Sequence, residues 1–180
     1  KAIQWQAYRG QITHEEYREA VVGIYGLTQP HLVERGKQAL IEDDRNVWSF
    51  DGVAETLHGL KKQGYLLGIV TDTANSISAK LQWFERGGFG QVWDSIISSM
   101  DVGTRKPDPK IYEAVLQQLG LSPDQAIFVG HKVSELAGAR AVGMQTVAFN
   151  YDKDAQADHF IEKFSDLLKL PDIGFYEQPG

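Results

Sequence analysis

From residue 66 to residue 149 the chain repeats one pattern, a short apolar run followed by an amphipathic stretch, and this repetition restricts the fold more than any other feature. Leu66-Leu67-Gly68-Ile69-Val70 is a continuous apolar run, as expected of a strand buried on both faces. A helix is expected over 75–86, a strand over 95–98, a helix over 109–119 and a strand over 126–129. A helix over 134–141, a strand over 146–149 and a last amphipathic helix over 157–168 complete the series. Strands alternating with helices specify an α/β fold with a doubly wound parallel sheet. Ligands in such sheets bind beyond the carboxyl ends of the strands. Thr71, Lys106 and the segment 131–135 all follow expected strands, so the chemically loaded residues share one edge.

The first 45 residues carry a different pattern and read as helical, with no strand. Thr13-His14-Glu15-Glu16 has the form of a capping box, with the acid three residues after the threonine. Tyr17, Ala20, Val21 and Ile24 follow at helical spacing, and Gly26 suits the residue after the last turn. A second helix is expected from Pro30 to about Ile41, with Asp43-Asp44 in a solvated turn behind it, and a third over 52–63, stopped by Gly64. Trp5, Tyr8, Tyr17 and Tyr25 recur at roughly helical spacing. Packing between helices is the expected role, and lining a substrate pocket is the alternative. The other histidines, His14, His31, His58 and His159, are scattered and suggest no common site.

Composition narrows the function classes. The 180 residues suit one α/β domain with a small appendage and can bury a substantial core. A net charge of −6 with no basic block argues against nucleic acid or an anionic membrane as the main partner. The absence of cysteine removes disulfides, thiolate metal sites and a cysteine nucleophile. No apolar run approaches the ~20 residues of a membrane span, and a cytoplasmic location is the expectation.

Two segments carry the chemistry. Arg105-Lys106-Pro107-Asp108-Pro109-Lys110-Ile111-Tyr112 holds a lysine in a proline-stiffened turn, with Asp108 placed to cap the following helix. Ile127-Phe128-Val129-Gly130-His131-Lys132-Val133-Ser134-Glu135 is an apolar strand that ends in glycine and a polar cluster. A lysine and a polar loop at strand ends suit the binding of a phosphate and a metal. Thr71, directly after Ile69-Val70, can offer its hydroxyl to the same crevice or cap the next helix.

These strings resemble the second, third and fourth motifs of the haloacid dehalogenase-like superfamily, whose members are mostly phosphatases. The resemblance runs from about Gly10 to Leu168. It implies a Rossmann-like core over 47–170, a partial helical cap over 1–46 and a loose tail over 171–180. It implies that Thr71 and Lys106 bind the phosphoryl group of a small phosphorylated metabolite, with Glu135 and His131 at the positions of two acids that hold Mg²⁺. His131 is a departure, because Mg²⁺ prefers oxygen ligands and imidazole suits it poorly. His131 can equally be a helix-start residue with no ligand role. The family's first motif, a buried strand ending in Asp-x-Asp that supplies the nucleophile, has no counterpart in the sequence. This chain alone is therefore expected to be inactive, its nucleophile residing upstream or arriving by strand exchange, with an open strand edge that favours self-association. A non-catalytic binding or scaffold protein and a haloacid dehalogenase are the alternatives.

Overall fold

A computed structural model of the chain describes residues 2–44 and 46–170. Helices come first: α1 (Ala2–Tyr8), α2 (His14–Ile24), α3 (Pro30–Asp44) and α4 (Val53–Lys62). α2 starts with the expected capping box, in which the Thr13 hydroxyl accepts from Glu16 N and the Glu16 carboxylate accepts from Thr13 N. α3 runs through Asp44, past the expected stop, so Asp43-Asp44 is a helix end rather than a loop. Asp44 is also not simply solvated. Its carboxylate lies 3.7 Å from the Arg18 guanidinium and accepts from Asn75 Nδ2 at 3.3 Å.

The remainder alternates as the periodicity predicts, through β1 (Gly68–Thr71), α5 (Ile77–Arg86), β2 (Ser95–Ser98), a short α6 (Ser99–Val102), α7 (Pro109–Leu119), β3 (Ile127–Gly130), α8 (Val133–Ala141), β4 (Gln145–Phe149) and β5 (His159–Ile161). All pairings are parallel. β1 pairs with β2 from Gly68 opposite Ser95 to Thr71 opposite Ser98, while β3, β4 and β5 form a second sheet in that order. Among the described residues β1 and β3 do not pair, so each has one edge without a ladder partner. The two sheets are joined by helices instead. α7 packs on β1, β2 and α8, and α8 packs on β3 and β4. A core shared by the two sheets results, in which Ile111, Tyr112, Leu116, Phe128, Leu136, Ala139 and Met144 are buried and Val70 and Ile97 of the first sheet pack against them.

Two expectations at the ends of elements are corrected. The first strand begins at Gly68, two residues later than the apolar run suggests. The Asp94 carboxylate accepts the Leu67 N–H at 2.7 Å, so the ladder opens one residue on, and Leu66 is exposed. The strand is half-buried rather than buried on both faces. The expected last helix over 157–168 is instead β5 followed by a 3₁₀ turn over Phe164–Lys169. Its cause lies twelve residues upstream. The Asp158 carboxylate accepts from both Thr146 N (2.8 Å) and Thr146 Oγ1 (2.7 Å), and Asp158 N donates to the Thr146 hydroxyl (3.1 Å). This pins 158–161 alongside β4, where His-Phe-Ile suits a strand. The expected tail over 171–180 lies outside the described residues.

One glycine sets how closely α8 can approach. A Cβ on Gly138 would stand 2.8 Å from Pro107 Cβ and 2.9 Å from both Pro107 O and Tyr112 Oη. Only glycine lets α8 rest on the turn after Lys106. Gly138→Val should therefore lower unfolding stability by about 1–3 kcal/mol through overpacking, measured by urea denaturation. Asp158→Ala removes the acceptor for two donors of the fully buried Thr146 and should cost about 1–3 kcal/mol. The Thr146 hydrogen bonds hold the Asp158 carboxyl below its ordinary range. A lowered folded-state pKa gives stability that is full above the unfolded carboxylate's pKa and fades as pH falls through the folded one. The gap between wild type and Asp158→Ala should therefore narrow in acid.

Candidate active site

The residues expected to act together converge beyond the carboxyl ends of β1 and β3. Lys106 is the hub. Its ammonium donates to Val70 O at 3.0 Å and lies 3.5 Å from Glu135 Oε2, and its backbone N–H donates to Asp72 Oδ1 at 3.1 Å. Lys106 and Glu135 side chains are only 11% and 7% exposed, so their charges face each other away from bulk water. Such a pair is costly to leave half-made. The elements that hold it are visible in sequence: Asp108 caps α7 by accepting from Lys110 N at 3.0 Å, with Pro109 in the first helical position.

Glu135 sits in the first turn of α8, where Tyr112 Oη donates to its backbone carbonyl at 2.8 Å. Burial, with the negative charges of Glu135 and Asp72 nearby, pushes the Tyr112 phenol well above its usual range. It therefore remains a neutral donor. Lys132 reaches Glu135 from the solvent side, 3.2 Å from Oε1. Each oxygen of the buried Glu135 carboxylate thus faces one ammonium.

Thr71 ends β1, half-buried and opposite Ser98. The structural duties that a threonine there could perform fall to its neighbours. Thr73 Oγ1 accepts from Asn75 N at 2.9 Å, and the Ser76 hydroxyl caps α5 by accepting from Ala79 N at 3.2 Å. Thr71 serves neither turn nor cap. His131 is exposed, and its carbonyl accepts from Asp152 N at 2.9 Å. No group of three or more His, Cys, Asp or Glu side chains that could hold a metal occurs among the described residues. With two ammonium groups on Glu135 and imidazole in place of an acid at 131, these residues do not by themselves fit Mg²⁺, which demands a near-octahedral oxygen set.

Beside this cluster lies a cavity of about 270 Å³ between α1, α2, α3 and the loop after β1. Tyr8, Tyr17, Arg18, Asp72, Asn75 and Lys80 are among its lining residues. Tyr8 and Tyr17, half-buried among these helices, line this cavity. Trp5 stacks its ring 3.3 Å from the Arg105 guanidinium, and Tyr25 is exposed. Burial draws the Lys80 ammonium below its usual range, the positive charge of Lys106 adds to this, and Asp44 opposes it. A larger hollow of about 550 Å³, lined by Arg140, Gly143, Met144, Gln145, Asp158 and His159, opens at the amino ends of β4 and β5 and holds none of the converging residues. Sequence reasoning did not single out Asp72, Arg18, Asn75 or Lys80. Tyr112, quoted in the lysine string, acquires its role only through the long-range bond to α8.

The comparisons agree with this geometry. The family model described as haloacid dehalogenase-like hydrolase matches residues 6–149. A glyceraldehyde 3-phosphate phosphatase of Pyrococcus furiosus is 36% identical over 127 residues, covering 68% of this chain and 51% of its own. The pyrophosphatase PpaX of Bacillus velezensis is 36% identical over 141 residues, covering 72% of this chain and 62% of its own. The chain thus spans between half and two thirds of the length of these relatives. The crystal structure of a 2-haloacid dehalogenase from Pseudomonas syringae pv. Tomato superposes with a TM-score of 0.70 at 22% identity, covering 91% of this chain and 72% of that one, and shows the shared fold. With four-fifths of its residues inside the family match and the lysine, carboxylate and strand-end threonine gathered at one edge, the chain belongs to the haloacid dehalogenase-like hydrolases.

Proposed function

We infer that this chain is the greater part of a hydrolase acting on a small phosphorylated metabolite, with the attacking carboxylate supplied by a strand outside residues 1–180. The observation that carries the reading is the pairing of Lys106 with Val70 O, on the β1 edge that lacks a ladder partner, and with Glu135 in the helix that follows β3, whose edge also lacks one. A parallel strand seated between β1 and β3 would end beside Lys106 and Thr71. Two phosphatases among the similar proteins support phosphate as the group recognised.

In this reading the Thr71 hydroxyl donates to a phosphoryl oxygen and Lys106 neutralises the repulsion between phosphate and nucleophile. Attack by the carboxylate forms a bond to phosphorus and breaks the bond from phosphorus to the leaving oxygen, which takes up a proton from solvent and departs as the alcohol. Water then cleaves the acyl phosphate, freeing inorganic phosphate and restoring the carboxylate. Glu135 holds Lys106 in place, and Asp72 and Tyr112 hold the loops that carry these two. Residues 1–46 form part of a cap over a core at 47–170, and the cavity between them admits the substrate. The magnesium implied by the resemblance carries no step here, because the chain's own residues do not form its site. No helix among the described residues is long and apolar enough to cross a membrane. The unpaired edges favour association with another strand. Dehalogenation of a small haloacid is the second reading, favoured by the two lysines that surround Glu135.

The test assays the 180-residue chain and an N-terminally extended chain on an aryl phosphate and on 2-chloropropionate. Phosphate release by the extended chain alone is expected. Chloride release alone would transfer the assignment to a dehalogenase, and equal phosphatase activity from the 180-residue chain would overturn the external nucleophile. In the extended chain Lys106→Met and Thr71→Val should each lower kcat by about 10²–10³, as loss of one preorganised donor does.

A further inference from the structure

We propose that the Lys132 ammonium takes, against Glu135, the place a divalent cation would need, so that the site gathers its anion with two lysines and no metal. Glu135 Oε1 is 3.2 Å from Lys132 Nζ and Oε2 is 3.5 Å from Lys106 Nζ. The carboxylate is 7% exposed, and both of its oxygens are covered by cations. A metal bound there would have to displace an ammonium or sit beside one.

Among the described residues no second acid is paired with Glu135 to offset that repulsion. His131, the residue before Lys132, is exposed. The carboxylate of Asp152 accepts from Val133 N at 3.4 Å, at the start of α8, and Asp72 accepts from the backbone of Lys106. A divalent ion with a strict oxygen geometry therefore finds one shared carboxylate and two ammoniums within reach of it.

Lys132 is well suited to the substitution. It is the N-cap residue of α8, three residues before Glu135, and its side chain is 54% exposed. An ammonium has three donors, and Glu135 takes one of Lys132's, which leaves two for an anion at this exposed side chain. The class of ligand follows: a phosphoryl or carboxylate group held between Lys106 and Lys132 by charge-assisted hydrogen bonds. The metal part of this inference stands whether or not the phosphatase reading holds, and the anion part rests on it.

The experiment titrates millimolar Mn²⁺ into the N-terminally extended chain and reads free ion by electron paramagnetic resonance, then measures binding of inorganic phosphate by calorimetry with and without Mg²⁺. Wild type should leave Mn²⁺ free, Lys132→Ala should bind it, and phosphate affinity should be indifferent to Mg²⁺. Lys132→Met should weaken phosphate binding by about tenfold, the loss of one charged contact. Lys132 is exposed, so these variants are expected to fold, which circular dichroism verifies. Mn²⁺ bound by wild type and released in Glu135→Gln would overturn the proposal. So would wild-type phosphate binding that requires Mg²⁺, or the absence of any Lys132 effect on either ligand. If phosphate does not bind at all, the phosphatase reading fails, and the Mn²⁺ titration still decides the question of the metal.

Discussion

The pairing of Lys106 with Glu135 joins the two halves of this molecule, and most of the local geometry around it exists to make it possible. Two charges removed from water lose several kcal/mol of solvation each, and only close, fixed partners offset that. Here the partners come from different elements. Lys106 follows the β2 side of the fold, and Glu135 opens the helix after β3. The ammonium also donates to Val70 O at the end of β1, so one side chain touches what the two separate sheets contribute. Gly138 lets α8 close on Pro107, and Tyr112 fixes the backbone of Glu135 from α7. The buried aromatic and aliphatic side chains of α7 and α8 then hold both ends against a common core.

The same edge is reached from the amino-terminal helices by polar contacts rather than by an apolar seam. The Arg105 guanidinium, adjacent to Lys106, lies over the face of Trp5 in α1, a cation–π contact worth about 0.5–2 kcal/mol. His14 Nδ1 meets Ala74 O, and Arg18 and Asp44 both meet Asn75. Each contact falls on the loop just after β1 or just before Lys106. These helices therefore report directly on the segments that carry the candidate site. Polar attachments of this kind exchange for water at little net cost, whereas the apolar core of α7 and α8 does not.

How much of this was legible in the sequence depended on the range of the interaction that decides each feature. The capping box at Thr13, the Asp108 cap with Pro109 behind it and the strand over 95–98 are all local, and the sequence predicts them to the residue. The strand start at Gly68 was misplaced because Asp94, far along the chain, accepts the Leu67 N–H. The last helix was misplaced because Asp158 binds Thr146 on another strand. Periodicity at 157–168 carries no trace of that pairing. The convergence of Thr71, Lys106 and Glu135 was legible because each follows a strand, and parallel strands deliver their carboxyl ends to one edge. The bond from Lys106 N to Asp72, and the lining of the cavity by Tyr8, Tyr17 and Lys80, bring together segments distant in sequence, which no spacing rule encodes.

The split sheet and the charge arrangement bear on each other. An edge strand with bare N–H and C=O groups is a template for another strand, and natural folds seldom leave two in one core. Here the carbonyl at the end of the β1 edge is bonded by a side chain, Lys106 Nζ on Val70 O, rather than by a ladder partner. A strand that pairs with β1 would compete for that carbonyl and turn the ammonium towards whatever the new strand presents at its own carboxyl end. A carboxylate is what an ammonium there would favour most, since Glu135 already shares its charge with Lys132. Completing the sheet and arming the site would then be the same event, with Lys106 moving from a backbone acceptor to a charged one.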